Sequence, residues 1–130
     1  MQHVQTMLET HPDRADRSNL SECVTACLDC AATCSTCADA CLSEDHVHDL
    51  VHCIRLDLQC AELCSVTATL LARPGASSDV TSALVEVCRR ICAGCARECE
   101  RHASMHEHCR ICAEACRECE RACEHLATRH

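Results

Sequence analysis

The chain has 130 residues, a formal net charge of −8 and no Phe, Tyr or Trp, yet 18 of its residues are cysteine. An acidic protein has no general attraction to phosphate backbones or anionic lipid, which excludes nucleic acid and a membrane surface as expected partners. The length fits one domain of four helices of about 20 to 25 residues, and without aromatic rings Ala, Val, Leu and Cys must fill its interior.

Residues 2–10 predict a short amphipathic helix through Val4, Met7 and Leu8, ended by His11-Pro12. The N-terminal stretch lacks the basic and then apolar segments of an export signal, and Arg14 and Arg17 are not a twin-arginine pair. A reducing cytosol is the expected compartment. After the polar stretch 13–18, Asn19 with Glu22 resembles a capping box opening a helix over about 19–42. Ser43-Glu44-Asp45 reads as a tight turn whose acids suit the first turn of a second helix, about 45–72. Arg73-Pro74-Gly75-Ala76-Ser77-Ser78 is the clearest breaker, and Asp79 starts a third helix running to about 101. Ser104 with Glu107 repeats the capping-box signature ahead of a fourth helix, about 104–128. Connections this short join antiparallel neighbours. The expected fold is all-α, residues 1–130 forming a single antiparallel up-down-up-down four-helix bundle with a short extra N-terminal helix. No segment shows the sustained apolar/polar alternation of a strand.

Cys23, Cys27, Cys30, Cys34, Cys37 and Cys41 fall on the first long helix, and Cys53, Cys60 and Cys64 on the second. Cys88, Cys92, Cys95 and Cys99 fall on the third, and Cys109, Cys112, Cys116, Cys119 and Cys123 on the fourth. Their spacing alternates between three and four, the seam where a bundle normally carries Leu and Ile. Geometry disfavours a disulfide scaffold: Cβ atoms at these helical spacings lie about 5–6 Å apart, whereas a disulfide wants about 3.8 Å. In the second helix the rhythm survives only if Asp57 is counted between Cys53 and Cys60. A buried carboxylate is costly unless partnered, so Asp57 is either an occasional ligand or a hydrogen-bond acceptor within the core. The alternative is a register shift that leaves it exposed.

Thiolates select Cu(I), Zn(II) or iron–sulfur clusters. Two thiolates about 4.5 Å apart hold one metal in a line, given metal–sulfur distances near 2.3 Å. Cu(I), which accepts two or three donors, suits an unbroken ladder of such pairs. If each Cu(I) displaces one thiol proton and each thiolate bridges two ions, the loaded core stays neutral at roughly one copper per cysteine. Isolated four-thiolate zinc sites leave negative charge in a core with no inward cation, and structural zinc usually uses discrete pairs separated by a loop. Ferredoxin spacing followed by proline is missing. The leading reading is storage of multiple Cu(I) ions and not an enzyme. The alternatives are a zinc or thiolate metal buffer and a thiol redox sensor, although redox proteins need few cysteines, of low pKa beside positive charge.

Extending the stripe beyond the cysteines distinguishes the two ends. One end brings up Leu20, Leu71, Leu84, Val85 and Leu126, an apolar closure; the other brings up His46, His102, Met105 and His106. Imidazole and thioether groups bind copper and can hand it inward. Against that, His102, His106, His108 and His125 lie on or beside segments where Arg and Glu alternate as a solvated face. His48 and His108 rank behind the first four candidates.

With its inward C-x3-C-x2-C runs, the chain resembles the cytosolic branch of the cysteine-rich four-helix-bundle copper storage proteins, from the short N-terminal helix through the last one. The resemblance implies that all eighteen cysteines are Cu(I) ligands, that Asp57 belongs to the cluster and that the His/Met end is the metal entrance. It also implies a homotetramer, with copper ions as cargo and a copper chaperone or acceptor protein as the expected partner. The second helix, with three thiols, departs from a uniform pattern and leaves the stoichiometry there open.

Overall fold

A computed structural model of the chain describes residues 2–13, 18–76 and 79–128. Most of the polar stretch expected over 13–18, and Ser77-Ser78 of the breaker, lie outside the described residues. Among the described residues the regular structure is helical throughout: α1 (Gln2–Glu9), α2 (Ser18–Leu42), α3 (Val51–Leu71), α4 (Asp79–His102) and α5 (Glu107–Thr128), with 3-10 turns at Val47–Leu50 and Pro74–Ala76. Three- and four-residue spacing keeps the thiols of each long helix on one inward stripe. Between them Ala31, Ala38, Ala93, Ala96, Ala113 and Ala122 are buried where helices meet. Such small side chains let the helices close around a core without large residues.

The four long helices form a ring in which α2 packs on α3 and α5, and α4 packs on the same two; α1 lies against α2. Sulfur pairs show the antiparallel register. Cys23 meets Cys123, Cys27 meets Cys119, Cys30 meets Cys116 and Cys34 meets Cys112 along α2 and α5. Cys53 meets Cys99, Cys60 meets Cys92 and Cys64 meets Cys88 along α3 and α4. This is the expected up-down-up-down bundle.

Where α2 begins, Leu71, Val85 and Leu126 are buried as expected, joined by Leu8 from α1, Val24 and Ala68. Leu20 and Leu84 are half-buried at the same end. Met7, expected on the inner face of α1, is exposed instead.

The described part of α2 runs from Ser18, close to the expected start, with Asn19 inside it. The starts of α3 and α5 differ from the expectations for a common reason, the geometry of chain reversal. The second long helix starts at Val51 and not near 45, because Val47–Leu50 is wound as a 3-10 turn. Its larger rise per residue carries the chain across from α2 to α3. Leu50, 1 % exposed, is tucked under it at φ −108°, ψ 4°, the break between the two windings. Ser104 does not cap α5 either. The His102 carbonyl closes α4 by accepting from the Met105 and His106 amides, and the His106 carbonyl opens α5 by accepting from Cys109 and Arg110. Glu107 pairs with Arg110.

Leu50 is among the largest fully buried side chains. Leu50→Ala is expected to cost about 2–5 kcal/mol of stability in the metal-free protein, read from urea unfolding; a loss below about 1 kcal/mol would show that this turn does not seal the bundle.

Outside, ion pairs such as Arg89–Glu86 at 2.6 Å and the cross-helix Arg117–Glu100 at 2.8 Å form the solvated faces. Exposed pairs of this kind contribute at most about 1 kcal/mol each, so the bundle is held chiefly by its core.

Candidate metal centre

All eighteen cysteines are free thiols, and none is more than 2 % exposed. Because the stripes run antiparallel, the thiols stack in layers along the bundle axis. Starting from the apolar end, Cys23 and Cys123 form the first layer. Cys27, Cys64, Cys88 and Cys119 form the next, and Cys30, Cys60, Cys92 and Cys116 the one after. The fourth layer holds Cys34, Cys95, Cys112 and Asp57. Cys53 and Cys99, and Cys37 with Cys109, lie beyond it, followed by Cys41.

Neighbouring sulfurs are 3.6 to 3.9 Å apart within and between layers. A linear S–metal–S unit needs about 4.5 Å, a widening that small rotamer changes supply. Donor groups whose atoms lie within 4.8 Å of one another include Cys27/Cys88/Cys119/Cys123, Cys30/Cys60/Cys64/Cys92, Cys30/Cys34/Cys60/Cys116 and Cys34/Cys95/Cys112/Cys116. Cys30, Cys34, Cys60 and Cys116 each belong to two of these groups. Such overlapping groups cannot all be filled as separate four-thiolate sites, but they can be filled if sulfurs bridge.

Asp57 is 0 % exposed and takes the place of a fourth thiol in its layer. Its Oδ1 accepts from the thiols of Cys95 and Cys112 at 3.3 Å and of Cys99 at 3.6 Å, while Oδ2 has no partner. Burial, with the sulfurs of Cys112 and Cys53 close by, pushes the Asp57 carboxyl up to about 8. Burial therefore favours the neutral form of this acid in the metal-free core. Burial likewise pushes the Cys41 thiol up to about 11. The only charged or polar residues buried among those described are Asp57, Thr67 and Glu98, so no cation offsets thiolate charge in the interior.

At the opposite end from the leucines, α4, α5 and the turn after α2 bring three histidines together. His108 Nδ1 is 3.5 Å from Cys37 Sγ, 3.6 Å from Cys109 Sγ and 3.9 Å from Cys41 Sγ. These four side chains make a further compact donor group. His106 and His102 are part-buried beside it, His106 on Glu44 and His102 on Glu98. His46 and Met105 are not drawn in: His46 is exposed with its ring edge-on to His48, and Met105, at the tip of the α4–α5 turn, is 80 % exposed. Chain reversal accounts for Met105, because the turn that closes α4 on the His102 carbonyl leaves that residue at its apex.

His108 is the residue that sequence reasoning undervalued. Its signal was its spacing, four residues before Cys112. That relation was masked by the adjacent Cys109, which holds the same stripe at three. Glu44 and Glu98 gave no comparable signal.

A core of this kind can be compared with known proteins. Residues 16–128 match the family model described as Copper storage protein. The chain belongs to that family.

The likeness extends to solved members of the copper storage proteins. The copper storage protein Ccsp from Streptomyces lividans, loaded with 10 copper equivalents, is 49 % identical and superposes with a TM-score of 0.92 over 96 % of this chain and 98 % of its own. Cu(I)-bound copper storage protein BsCsp3 is 34 % identical, with a TM-score of 0.76 over 85 % of this chain and 99 % of its own. An uncharacterised cysteine-rich protein of Bacillus subtilis strain 168, YhjQ, is 36 % identical over 105 residues, 81 % of this chain and 93 % of that protein.

Proposed function

We propose that this chain stores and sequesters multiple Cu(I) ions in the cytosol, as cargo and not for catalysis. The observation that carries the reading is the continuous ladder of buried sulfurs with overlapping donor groups. Each Cu(I) that enters displaces one thiol proton and is shared by two bridging sulfurs, so one monovalent ion replaces one proton and the filled core keeps its charge. That balance matters in an interior with no buried cation among the described residues. Four-thiolate zinc sites would each hold two uncompensated negative charges there.

The ligands in this reading are the eighteen cysteines, Asp57 and His108, with His102 and His106 at the way in and His46 and Met105 standing outside it. Cytosolic residence is supported by likeness to a protein described as a cytosolic copper storage protein from Streptomyces lividans. No helix among the described residues is long and apolar enough to cross a membrane. A homotetramer, and delivery to or from a copper chaperone or acceptor, follow from family resemblance.

Anaerobic titration with Cu(I) against a chromogenic chelator is expected to saturate at roughly one ion per cysteine. Saturation at only a few ions per chain would sink the storage reading. Replacing His102, His106 and His108 together with Ala is expected to slow uptake roughly ten-fold in stopped-flow measurements while removing little capacity. Equal rates would place the way in elsewhere.

A further inference from the structure

The histidine end contains a carboxylate that thiol chemistry does not account for. Glu44, in the turn after α2, has a side chain 35 % exposed and sets one oxygen, Oε2, 2.9 Å from His108 Nε2 and 3.1 Å from His106 Nδ1. The two rings lie stacked, centroids 5.4 Å apart and planes inclined by 30°. An ionised carboxylate only accepts, so both of these nitrogens donate. In neutral rings the remaining nitrogens, Nδ1 of His108 and Nε2 of His106, then carry lone pairs. The first of these is the nitrogen that faces Cys37, Cys41 and Cys109.

We propose that Glu44 is a positioning residue for copper uptake: by accepting from two rings through one oxygen it imposes opposite tautomers on His106 and His108, leaving each a free nitrogen for Cu(I). The inference rests on reading this end as the way in for copper. A carboxylate behind a metal-binding imidazole fixes ring orientation and raises the basicity of the ligating nitrogen. Here one carboxylate does so for two rings, and its charge also favours an approaching cation. His106 is the informative ring, since an unconstrained histidine in water prefers its proton on Nε2, and Glu44 holds it on Nδ1. Glu98 makes the equivalent contact with His102, Oε2 to Nε2 at 2.9 Å, which leaves Nδ1 of that ring as the acceptor.

Long-range proton–nitrogen correlation spectra of the metal-free protein, at a pH of about 8 where imidazoles are neutral, are expected to place the proton on Nδ1 of His106 and Nε2 of His108. Matching tautomers in the two rings overturn the proposal. Glu44→Ala is expected to return His106 to the Nε2–H form and slow Cu(I) uptake roughly ten-fold, with helicity and total capacity unchanged. Glu44→Gln, whose amide oxygen can accept both hydrogen bonds, is expected to keep the tautomers and most of the rate. Uptake by Glu44→Ala at the unsubstituted rate also overturns the proposal. If the unsubstituted protein takes up only a few ions, the storage reading fails instead, and the tautomer measurement, made without metal, still decides the role of Glu44.

Discussion

Filling the core anaerobically with Cu(I) is expected to raise the midpoint of thermal unfolding by at least about 20 °C. A single site occupied at one hundred times its dissociation constant contributes about 2.7 kcal/mol, and about 1 kcal/mol moves a domain of this size by roughly 3–6 °C. A handful of sites is therefore enough. The unfolded chain also carries thiols and competes for the metal, which reduces each contribution. It cannot, however, hold an ion between sulfurs brought together from different helices, as Cys30, Cys60 and Cys116 are. Stability should climb with each equivalent added, followed by calorimetry on samples of known copper content. Zn(II) should give a much smaller rise, because the overlapping groups cannot all be filled by ions that each demand four thiolates of their own. A rise of only a few degrees at full Cu(I) loading would contradict the bridged-ladder picture.

Asp57→Asn is expected to flatten the pH dependence of the metal-free protein's stability. The unfolded carboxyl loses its proton near pH 3.8, whereas in the folded core it keeps it up to about 8. Across that window the folded state binds more protons than the unfolded one, so stability falls as pH rises. It is greatest below the lower value and reaches its floor above the upper one. The slope for one such proton is about 1.4 kcal/mol per pH unit, and the accumulated loss is on the order of 5 kcal/mol. Asparagine cannot ionise. Its amide oxygen can accept from Cys95 and Cys112 as Oδ1 does now, while its buried NH2 costs about 1–3 kcal/mol where it lacks a partner. The variant should thus be the less stable protein at pH 4 and the more stable one near pH 8. Urea unfolding between these limits, with reductant and chelator present, measures the difference; parallel slopes would mean that Asp57 is already ionised in the folded core.

Much of this architecture was legible because helical periodicity is a local property. The alternation of three and four residues sets which side chains share a stripe within each helix, and it placed Asp57 among the thiols of α3 without reference to any other helix. The apolar closure formed by Leu71, Val85 and Leu126 follows from the same extrapolation. Extrapolation lost accuracy where the helices end. Ser104 carried a capping signature, but α5 begins after the His106 carbonyl has taken the first amides. His46 and Met105 fell on the extended stripe, yet the chain leaves helical geometry at both positions and the register no longer applies.

Eighteen thiols on four helical stripes, an acidic exterior and one carboxylate in a thiol position are properties of the linear chain, since helix spacing alone produces them. The layers, the sharing of Cys30, Cys34, Cys60 and Cys116 between donor groups, and the meeting of Glu44 with His106 and His108 arise only when the helices dock. Those contacts join residues from opposite ends of the sequence. Their distances depend on how antiparallel stripes align and on how each turn reverses the chain, which no single helix encodes.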